Sequence, residues 1–215
     1  IPTKVEKTSL EKLKKFSKLE EWINEYQGQI SLCGFGLVGA GIETCRLLNT
    51  VSVSHVFLLG IAGSFDLKRY PVGSASLFSS VTLDGVGVGQ GNDFASLPYS
   101  MVPSGTPLQS LILHDSKVDS LASLPTLLSV TSASANAAEK NWRKERYPNA
   151  VGEEMEGFAV ALAAQQYKTP LTIIRGFSNE VGNRNIHSWQ VDEALSSALD
   201  LLVSRKPVHS YSPQR

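Results

Sequence analysis

The stretch 151–184, VGEEMEGFAVALAAQQYKTPLTIIRGFSNEVGNR, constrains the fold more than any other part of the chain. It predicts an acidic helix start, an apolar helix, a turn at Thr169 and Pro170, a buried strand over 171–174 and a polar loop. The apolar residues that recur at helical spacing, and so predict the packed face, are Met155, Phe158, Ala159, Leu162 and Ala163. A helix that leads into a buried strand indicates an α/β fold, and we expect a three-layer α/β/α domain around a central mixed, mostly parallel sheet.

Three glutamates open this predicted helix. Glu153 and Glu154 suit a helix N-terminus, where the helix dipole favours negative charge. Glu156 differs, because Ala159 and Val160 lie one turn along and place its carboxylate near apolar surface. A carboxylate in such surroundings needs a partner or a ligand, so we predict a binding role for Glu156.

Polar residues follow the predicted strand at its carboxyl end, namely Arg175, Ser178 and Asn179. Ligands of open α/β sheets bind outside the carboxyl ends of the strands. Donors and an amide acceptor that emerge together there indicate a binding site. The alternative is a loop whose serine and asparagine hydrogen-bond their own backbone, as these residue types often do.

The segment GFGLVG at 34–39 fits the GxGxxG signature of dinucleotide-binding proteins, between a predicted strand over 30–35 and a helix to about Leu48. That class of protein also has an acidic residue at the end of the next strand, which we predict over 55–60. Here the turn GIAG follows that strand, and the first acidic residue is Asp66. We therefore interpret the glycines as a tight turn near the ligand rather than as an NAD site.

EEMEG at 153–157 followed by IRGFSN at 174–179 resembles the motifs of the nucleoside phosphorylase and nucleosidase superfamily, which includes methylthioadenosine/S-adenosylhomocysteine nucleosidase. Within it, SNEVGNR at 178–184 followed by Trp189 is most similar to the futalosine hydrolases. The resemblance covers nearly the whole chain. It implies hydrolysis of the N-glycosidic bond of futalosine with release of hypoxanthine, in an alternative menaquinone pathway, by a homodimer without a cofactor.

The same resemblance implies roles for individual residues. Glu6 falls where the nucleosidases carry their water-activating glutamate, and it would be the general base. Glu156 would bind the ribose 2′- and 3′-hydroxyls, with Met155 packing under the sugar. Arg175 would orient the water or the catalytic carboxylates, which Glu154 would support. The other residues implied for the site are Ser178, Asn179, Ile61 and Gly63.

Asn179 departs from the adenine-specific nucleosidases, which carry an aspartate at this position that can protonate N7 of the base. An asparagine amide offers one NH₂ donor group and one carbonyl acceptor. That pair suits O6 and the forming N7–H of a 6-oxopurine, so the sequence favours hypoxanthine over adenine. An amide gives up no proton at neutral pH, which weakens simple acid catalysis at this position.

The aligned residues of hexameric purine nucleoside phosphorylases hold phosphate with an arginine and a serine, where this chain carries Leu58 and Ile61. A phosphate dianion in an apolar pocket without its cation is heavily penalised, so we expect water as the nucleophile. The alternatives are a methylthioadenosine/S-adenosylhomocysteine nucleosidase, a purine nucleoside phosphorylase, a nucleoside-binding protein without activity and an NAD-dependent oxidoreductase.

Charge and cysteine content exclude further classes. Twenty basic residues balance twenty acidic ones, which leaves no electrostatic footprint for nucleic acid or an anionic membrane. No apolar run approaches the length of a membrane span, so we expect a cytoplasmic protein. Cys33 and Cys45 are too few for a disulfide scaffold, and their spacing without a nearby pair of histidines argues against a metal site.

The rest of the chain predicts a single domain over 1–205 that lacks its first strand, and a flexible tail over 206–215. An amphipathic helix is predicted over 9–26, capped by Thr8 or Ser9. The remaining predictions are a strand over 73–83, a loop-rich segment over 94–125, a strand over 126–132, a helix over 136–146 and a closing helix over 188–203.

Overall fold

A mixed β-sheet with helices on both faces forms the centre of the protein in the computed structural model, which describes residues 1–89, 93–96, 110–113 and 124–205. Seven strands of the described residues form this sheet, in the spatial order β2-β9-β1-β8-β7-β3-β6. The strands are β1 (Val56–Ser64), β2 (Ala75–Leu77), β3 (Ser80–Leu83), β4 (Gly87–Val88), β5 (Ala95–Ser96), β6 (Ser110–Ile112), β7 (Thr126–Ser129), β8 (Ala150–Glu154) and β9 (Leu171–Glu180). Strands β4 and β5 pair separately as a small antiparallel hairpin.

Alternation along the central strands separates two cores. Leu58 and Ile173 pack into one apolar cluster, whereas Leu59 and Ile174 pack into the other, because successive side chains of a strand point to opposite faces. The helices are α1 (Lys4–Lys12), α2 (Phe16–Glu25), α3 (Gly36–Thr50), α4 (Ala137–Arg146), α5 (Gly157–Gln166) and α6 (Val191–Val203). Helices α3 and α5 cover the first face and α1, α2 and α6 the second, which confirms the predicted three-layer α/β/α class.

Strand β9 lies inside the sheet, as predicted for the apolar run 171–174. It pairs in parallel with β1 and antiparallel with β2. Strand β7 pairs in parallel with β3 and β8, while β1 and β8 join antiparallel at Gly63–Glu153 and Ser64–Gly152. The sheet is therefore mixed. The parallel pairing of β1 and β9 brings the carboxyl ends of these two strands to one edge.

The single helix predicted over 9–26 is wrong, because two helices occupy this region. Helix α1 begins five residues earlier than Ser9, at Lys4, since Thr3 caps it in a reciprocal capping box with Glu6. It ends at Lys12, where Leu13 takes an extended conformation, and α2 starts at Phe16. The apolar residues on both sides of this break still pack together against α6, among them Leu10, Leu13, Phe16 and Leu19.

The acidic start predicted for the helix after 151 is also wrong. Glu153 and Glu154 belong to strand β8, which is buried along its whole length, and the helix begins only at Gly157. Helix α5 is buried on more than one side, so Phe158 and Ala163 are buried together with Val160 and Ala164. A helix that packs between a sheet and a second helix has no solvent-facing stripe. The spacing of its apolar residues therefore does not identify a single packed face.

Several strand boundaries differ from the sequence-based prediction. The predicted turn GIAG at 60–63 lies in the second half of β1, and Arg175 to Asn179 continue β9 instead of following it. The run 73–83 forms two short strands, and 30–35 forms none in the described part of the chain. Its backbone instead binds the first two residues, Cys33 N donating to Ile1 O at 2.9 Å and Gly34 N to Pro2 O at 3.1 Å.

The predicted helices at 136–146 and 188–203 are present as α4 and α6, and the helix after the glycine segment is present as α3. The strand predicted over 126–132 ends at Ser129. The predicted tail 206–215 and most of the predicted loop-rich segment 94–125 lie outside the described residues. No helix of the described ranges is both long enough and apolar enough to cross a membrane.

Candidate active site

Eight of the nine predicted site residues line one cavity of about 380 Å³ at the carboxyl ends of β1 and β9. They are Glu6, Ile61, Gly63, Glu154, Met155, Glu156, Ser178 and Asn179. The ninth, Arg175, lies directly behind the cavity wall with no exposed surface. A larger cavity of about 570 Å³ lies between α2, α3 and the first residues of β1, and it contains none of the predicted site residues.

Glu6 is held rigidly in the first turn of α1. One carboxylate oxygen accepts hydrogen bonds from the backbone N and the Oγ1 of Thr3, at 3.0 and 2.7 Å. The other accepts from the backbone N of Ile61 in β1, at 3.1 Å. Glu6 is buried, so the capping box fixes a carboxylate in the cavity wall rather than in solvent.

Arg175 connects the acidic residues beneath the cavity. Its Nη2 donates to Glu154 and lies 3.5 Å from Glu156 Oε2. Its Nη1 and Nε are buried and lack a hydrogen-bond partner among the described residues. A buried guanidinium of this kind keeps two carboxylates in place while retaining unused donors toward the site.

Gly60 leaves the room that this arginine needs. Gly60 pairs with Arg175 across β1 and β9. A Cβ at position 60 would overlap with Nη1 of Arg175 and lie 2.8 Å from Glu6 Oε1. The arginine therefore crosses β1 at a position without a side chain and meets the general-base candidate on the other side.

Glu154 is engaged entirely by protein groups in the described structure. It accepts hydrogen bonds from the backbone N of Glu156, at 3.0 Å, from Gly157 N, at 2.9 and 2.7 Å, and from the Ser129 hydroxyl. These N–H groups belong to the first turn of α5. Glu154 thus caps this helix from the preceding strand, which is why a strand residue looked like a helix start in the sequence.

Glu156 is the carboxylate best placed to meet a ligand. It lies at the N-cap of α5 and accepts a hydrogen bond from Gly36 N at 3.0 Å. Gly36 has φ +72°, so the glycine segment turns its backbone N–H toward this carboxylate. Burial raises the pKa of Glu156 to about 7, with Arg175 opposing this effect and Glu154 adding to it.

This raised pKa predicts a pH-dependent stability. The folded protein keeps the Glu156 proton up to about pH 7, whereas the unfolded chain releases it near the ordinary glutamate pKa of 4.5. The resulting stabilisation of the folded protein is on the order of 3 kcal/mol. It is complete below pH 4.5 and is lost as the pH rises through 7. Urea unfolding from pH 4.5 to 8 should show the free-energy difference between wild type and Glu156→Gln falling with pH. A difference that stays constant would contradict the burial of an ionisable Glu156.

The Asn179 amide is occupied within the chain. Its Oδ1 accepts from Ser178 Oγ at 2.8 Å, and its Nδ2 donates to Glu180 O at 2.8 Å and to Asn183 O at 3.4 Å. This matches the alternative of self-satisfied serine and asparagine groups. Both residues still line the cavity, and the amide lies beside Gly63.

Sequence reasoning missed a buried charged network at the base of the cavity. Glu153 accepts from Arg143 Nη1 at 2.8 Å and from Ser134 N and Oγ, at 2.8 and 2.7 Å. Arg143 also donates to Asp84 Oδ2 at 3.0 Å and to the Ser132 carbonyl at 2.7 Å. Arg143 belongs to the basic run of α4, where nothing in the sequence distinguishes it from the less buried Lys144 and Arg146.

Thr3, Gly60, Arg184 and Trp189 also went unassigned as site residues, although Trp189 had contributed to the resemblance. A threonine three residues before Glu6 is a recognisable capping box and could have been found. The positions of Arg184 and Trp189 on the cavity wall depend on the course of the loop after β9.

The sequence pattern of the phosphorylase superfamily matches residues 16–203. A futalosine hydrolase of Streptomyces coelicolor is 32% identical over 196 residues, which cover 84% of this chain and 82% of that protein. A 5′-methylthioadenosine/S-adenosylhomocysteine nucleosidase of Colwellia psychrerythraea is 28% identical over 168 residues, covering 73% of this chain and 68% of that protein.

A solved structure shares the fold. The native futalosine hydrolase of Helicobacter pylori superposes with a TM-score of 0.62 at 18% identity, over 80% of this chain and 76% of that one. Fold, motif positions and sequence matches agree, and the chain belongs to the phosphorylase superfamily.

Proposed function

We propose that the protein is a purine nucleosidase that hydrolyses the N-glycosidic bond of futalosine and releases hypoxanthine. The observation that carries this proposal is the cluster of Glu6, Glu154 and Glu156 around the buried Arg175 at one cavity. The 32% identity to a futalosine hydrolase supports the choice of substrate.

The charges of this cluster suit the reaction. Cleavage of an N-glycosidic bond develops positive charge on the ribose, which ionised carboxylates stabilise. In the proposed mechanism Glu156 binds the ribose hydroxyls. Glu6 takes a proton from water while the water oxygen bonds to the anomeric carbon. The carbon–nitrogen bond breaks with its electron pair moving to the base, which takes up a proton from solvent water and is released as hypoxanthine. The unused Nη1 of Arg175 is available to orient the water or Glu6.

Water remains the preferred nucleophile, although Leu58 contributes nothing to this choice. Its side chain packs in the core and does not line the cavity. Ile61 does line it, and its backbone N–H is occupied by Glu6. The acidic cluster would also repel a phosphate dianion, and the buried Arg143 and Arg175 are already paired with carboxylates.

The second candidate is a methylthioadenosine/S-adenosylhomocysteine nucleosidase. One observation favours it: the Asn179 amide is engaged by Ser178, Glu180 and Asn183, so it is not free to select a 6-oxopurine with both of its ends. Backbone groups near Ala133, which lines the cavity, would then contribute to base choice.

Product analysis separates these functions. The protein should release hypoxanthine from futalosine at a rate that does not depend on phosphate, while inosine and methylthioadenosine serve as parallel substrates. Chromatography of free base and sugar products is the measurement. A rate proportional to phosphate, with ribose-1-phosphate-type products, would show a phosphorylase. Preferential release of adenine would favour the second candidate.

The expectations of a homodimer, of a cytoplasmic location and of a place in an alternative menaquinone pathway belong to this proposal as well. The homodimer and the pathway rest on the same resemblance as the substrate.

A further inference from the structure

Glu153 lines the cavity, yet the proposed mechanism gives it no role. Its side chain is 5% exposed and lies near the end of β8, one residue before Glu154. Oε2 accepts from Arg143 Nη1 and Ser134 Oγ, at 2.8 and 2.7 Å, and Oε1 accepts from Ser134 N at 2.8 Å. A carboxylate has about four acceptor sites, so Oε1 keeps one site that no donor of the described residues fills.

The ion pair with Arg143 determines what kind of ligand atom Glu153 can meet. Glu153 and Asp84 share this guanidinium, at 2.8 and 3.0 Å, and the arginine side chain is 11% exposed. An ion-paired carboxylate carries no proton, so it accepts hydrogen bonds and donates none. A ligand atom that faces Glu153 must therefore be a hydrogen-bond donor.

Glu153 stands across a gap in the sheet from Asn179. Gly63 of β1 is in register with Glu153 on β8 and with Asn179 on β9. Two strand spacings separate these two residues, roughly 10 Å. Gly63 places no side chain between them, and a Cβ there would lie 3.5 Å from Asn179 Nδ2. Since all three residues line the cavity, a flat ligand over Gly63 can turn one edge toward each neighbour.

The segment beside Glu153 carries backbone groups without a partner in the described structure. Ser132 O accepts from Arg143 Nη2 at 2.7 Å, and Ser134 N donates to Glu153, so both neighbours of Ala133 are fixed. Ala133 lines the cavity, and its own N–H and carbonyl make no hydrogen bond to any described residue. The ion pair of Arg143 and Glu153 therefore orders a polar part of the cavity wall.

We propose that Glu153 accepts a hydrogen bond from N1–H of a 6-oxopurine and thereby selects this base over adenine. The inference rests on the proposed nucleosidase function and adds to it the group that recognises N1. In a purine, N7 and N1 lie on either side of the 6-substituent. A base whose N7 edge meets Asn179 therefore turns N1 toward the far side of the gap.

The two bases differ at this atom. Hypoxanthine has a hydrogen on N1 that Glu153 can accept, whereas adenine has a lone pair there, which a carboxylate repels. Binding adenine in the same position would leave a buried acceptor facing an acceptor. Glu153 is thus a specificity-determining residue on the N1 side, and Asn179 contacts the other edge of the base.

Glu153→Gln tests the inference with two nucleosides that differ only at C6 of the base. The ratio of kcat/KM for the 6-oxo compound to that for the 6-amino compound should fall by roughly 10- to 100-fold. The 6-oxo compound loses a hydrogen bond to a charged acceptor, and the 6-amino compound no longer faces a repelling carboxylate. Chromatography of the released bases is the measurement.

Asp84→Asn is the matched control, because Asp84 is buried, pairs with the same Arg143 and does not line the cavity. It disturbs the ion-pair network away from the ligand, so it should leave the ratio unchanged. An unchanged ratio in Glu153→Gln, or an equal shift in both variants, would overturn the inference while leaving nucleosidase activity established. A shift toward the 6-oxo compound would show that Glu153 binds the amino group of adenine and would overturn it as well.

Hypoxanthine labelled with ¹⁵N at N1 gives a second readout by nuclear magnetic resonance that needs no turnover. Bound to the wild type, its N1 proton should resonate downfield of its position in the free base and exchange slowly with water, because it donates to a buried carboxylate. The downfield signal should be lost in Glu153→Gln and kept in Asp84→Asn. A wild-type N1 proton that exchanges as fast as in free hypoxanthine would overturn the inference even where Glu153→Gln does not fold. Failure to cleave either nucleoside would contradict the proposed function, on which this binding measurement does not depend.

Discussion

Glu6→Gln is expected to lower kcat by roughly 10²- to 10⁴-fold, the range typical for loss of a positioned general base. Glutamine has nearly the same shape but cannot accept a proton from water. It also presents an NH₂ group where Thr3 N–H and Oγ1 now donate to Glu6, so the capping box loses part of its stabilisation, about 0.5–2 kcal/mol. The activity loss should far exceed what this modest destabilisation explains.

Single-turnover kinetics and urea unfolding separate the two effects. Glu139→Gln is a suitable control, because Glu139 holds the equivalent place at the start of α4, where it accepts from Ala135 N at 2.8 Å and from the side chain of Asn136. That control should lose a similar stability and keep full activity. A Glu6→Gln protein that turns over normally would remove Glu6 from the mechanism.

Asn179→Asp is expected to shift the ratio of kcat/KM between a 6-oxopurine and a matched 6-aminopurine nucleoside by about 100-fold toward the amino compound. The oxygen that replaces Nδ2 would face the carbonyls of Glu180 and Asn183, which cannot donate to it. These carbonyls favour the protonated acid. A neutral carboxylic acid beside the cavity can supply a proton to adenine N7, which the amide cannot.

The comparison uses two nucleosides that differ only at C6, so that effects of the 5′ substituent cancel. Asn183→Asp makes the same chemical change four residues further along the chain, just after β9, at a side chain that does not line the cavity, and it should leave the ratio unaltered. An unchanged ratio in Asn179→Asp would place base choice elsewhere, for example in the backbone of 131–135. Wild-type preference for the amino compound would overturn the substrate assignment itself.

The sequence was most informative where polar residues interrupt apolar runs. Glu156 and Arg175 stand out because a charge among buried residues must be paired or used, and the structure places both at one cavity. The same reasoning set the class of the fold, since the apolar run that begins β9, a strand buried along nearly its whole length, and the helix before it leave few alternatives.

The predicted starts and ends of helices and strands were wrong where tertiary contacts determine them. Strand β8 carries acidic residues at the end of a short apolar run, and Ser129, Ser134, Arg143 and Arg175 help to make those charges tolerable inside a sheet. These partners lie 10 to 25 positions away along the chain, so no local pattern reveals them. The break after Lys12 is similarly invisible, because Leu13 and Phe16 continue the helical stripe across it.

Gly60 has a consequence for protein design. Transferring the acidic cluster to another α/β scaffold by copying Glu6, Glu154, Glu156 and Arg175 would fail on any host whose neighbouring strand carries a Cβ in register with the arginine. Even the methyl group of an alanine there would overlap with the guanidinium where it crosses the strand. The smallest transferable unit of this site therefore includes a glycine on the neighbouring strand, in register with the arginine. A search for host scaffolds should begin with that glycine.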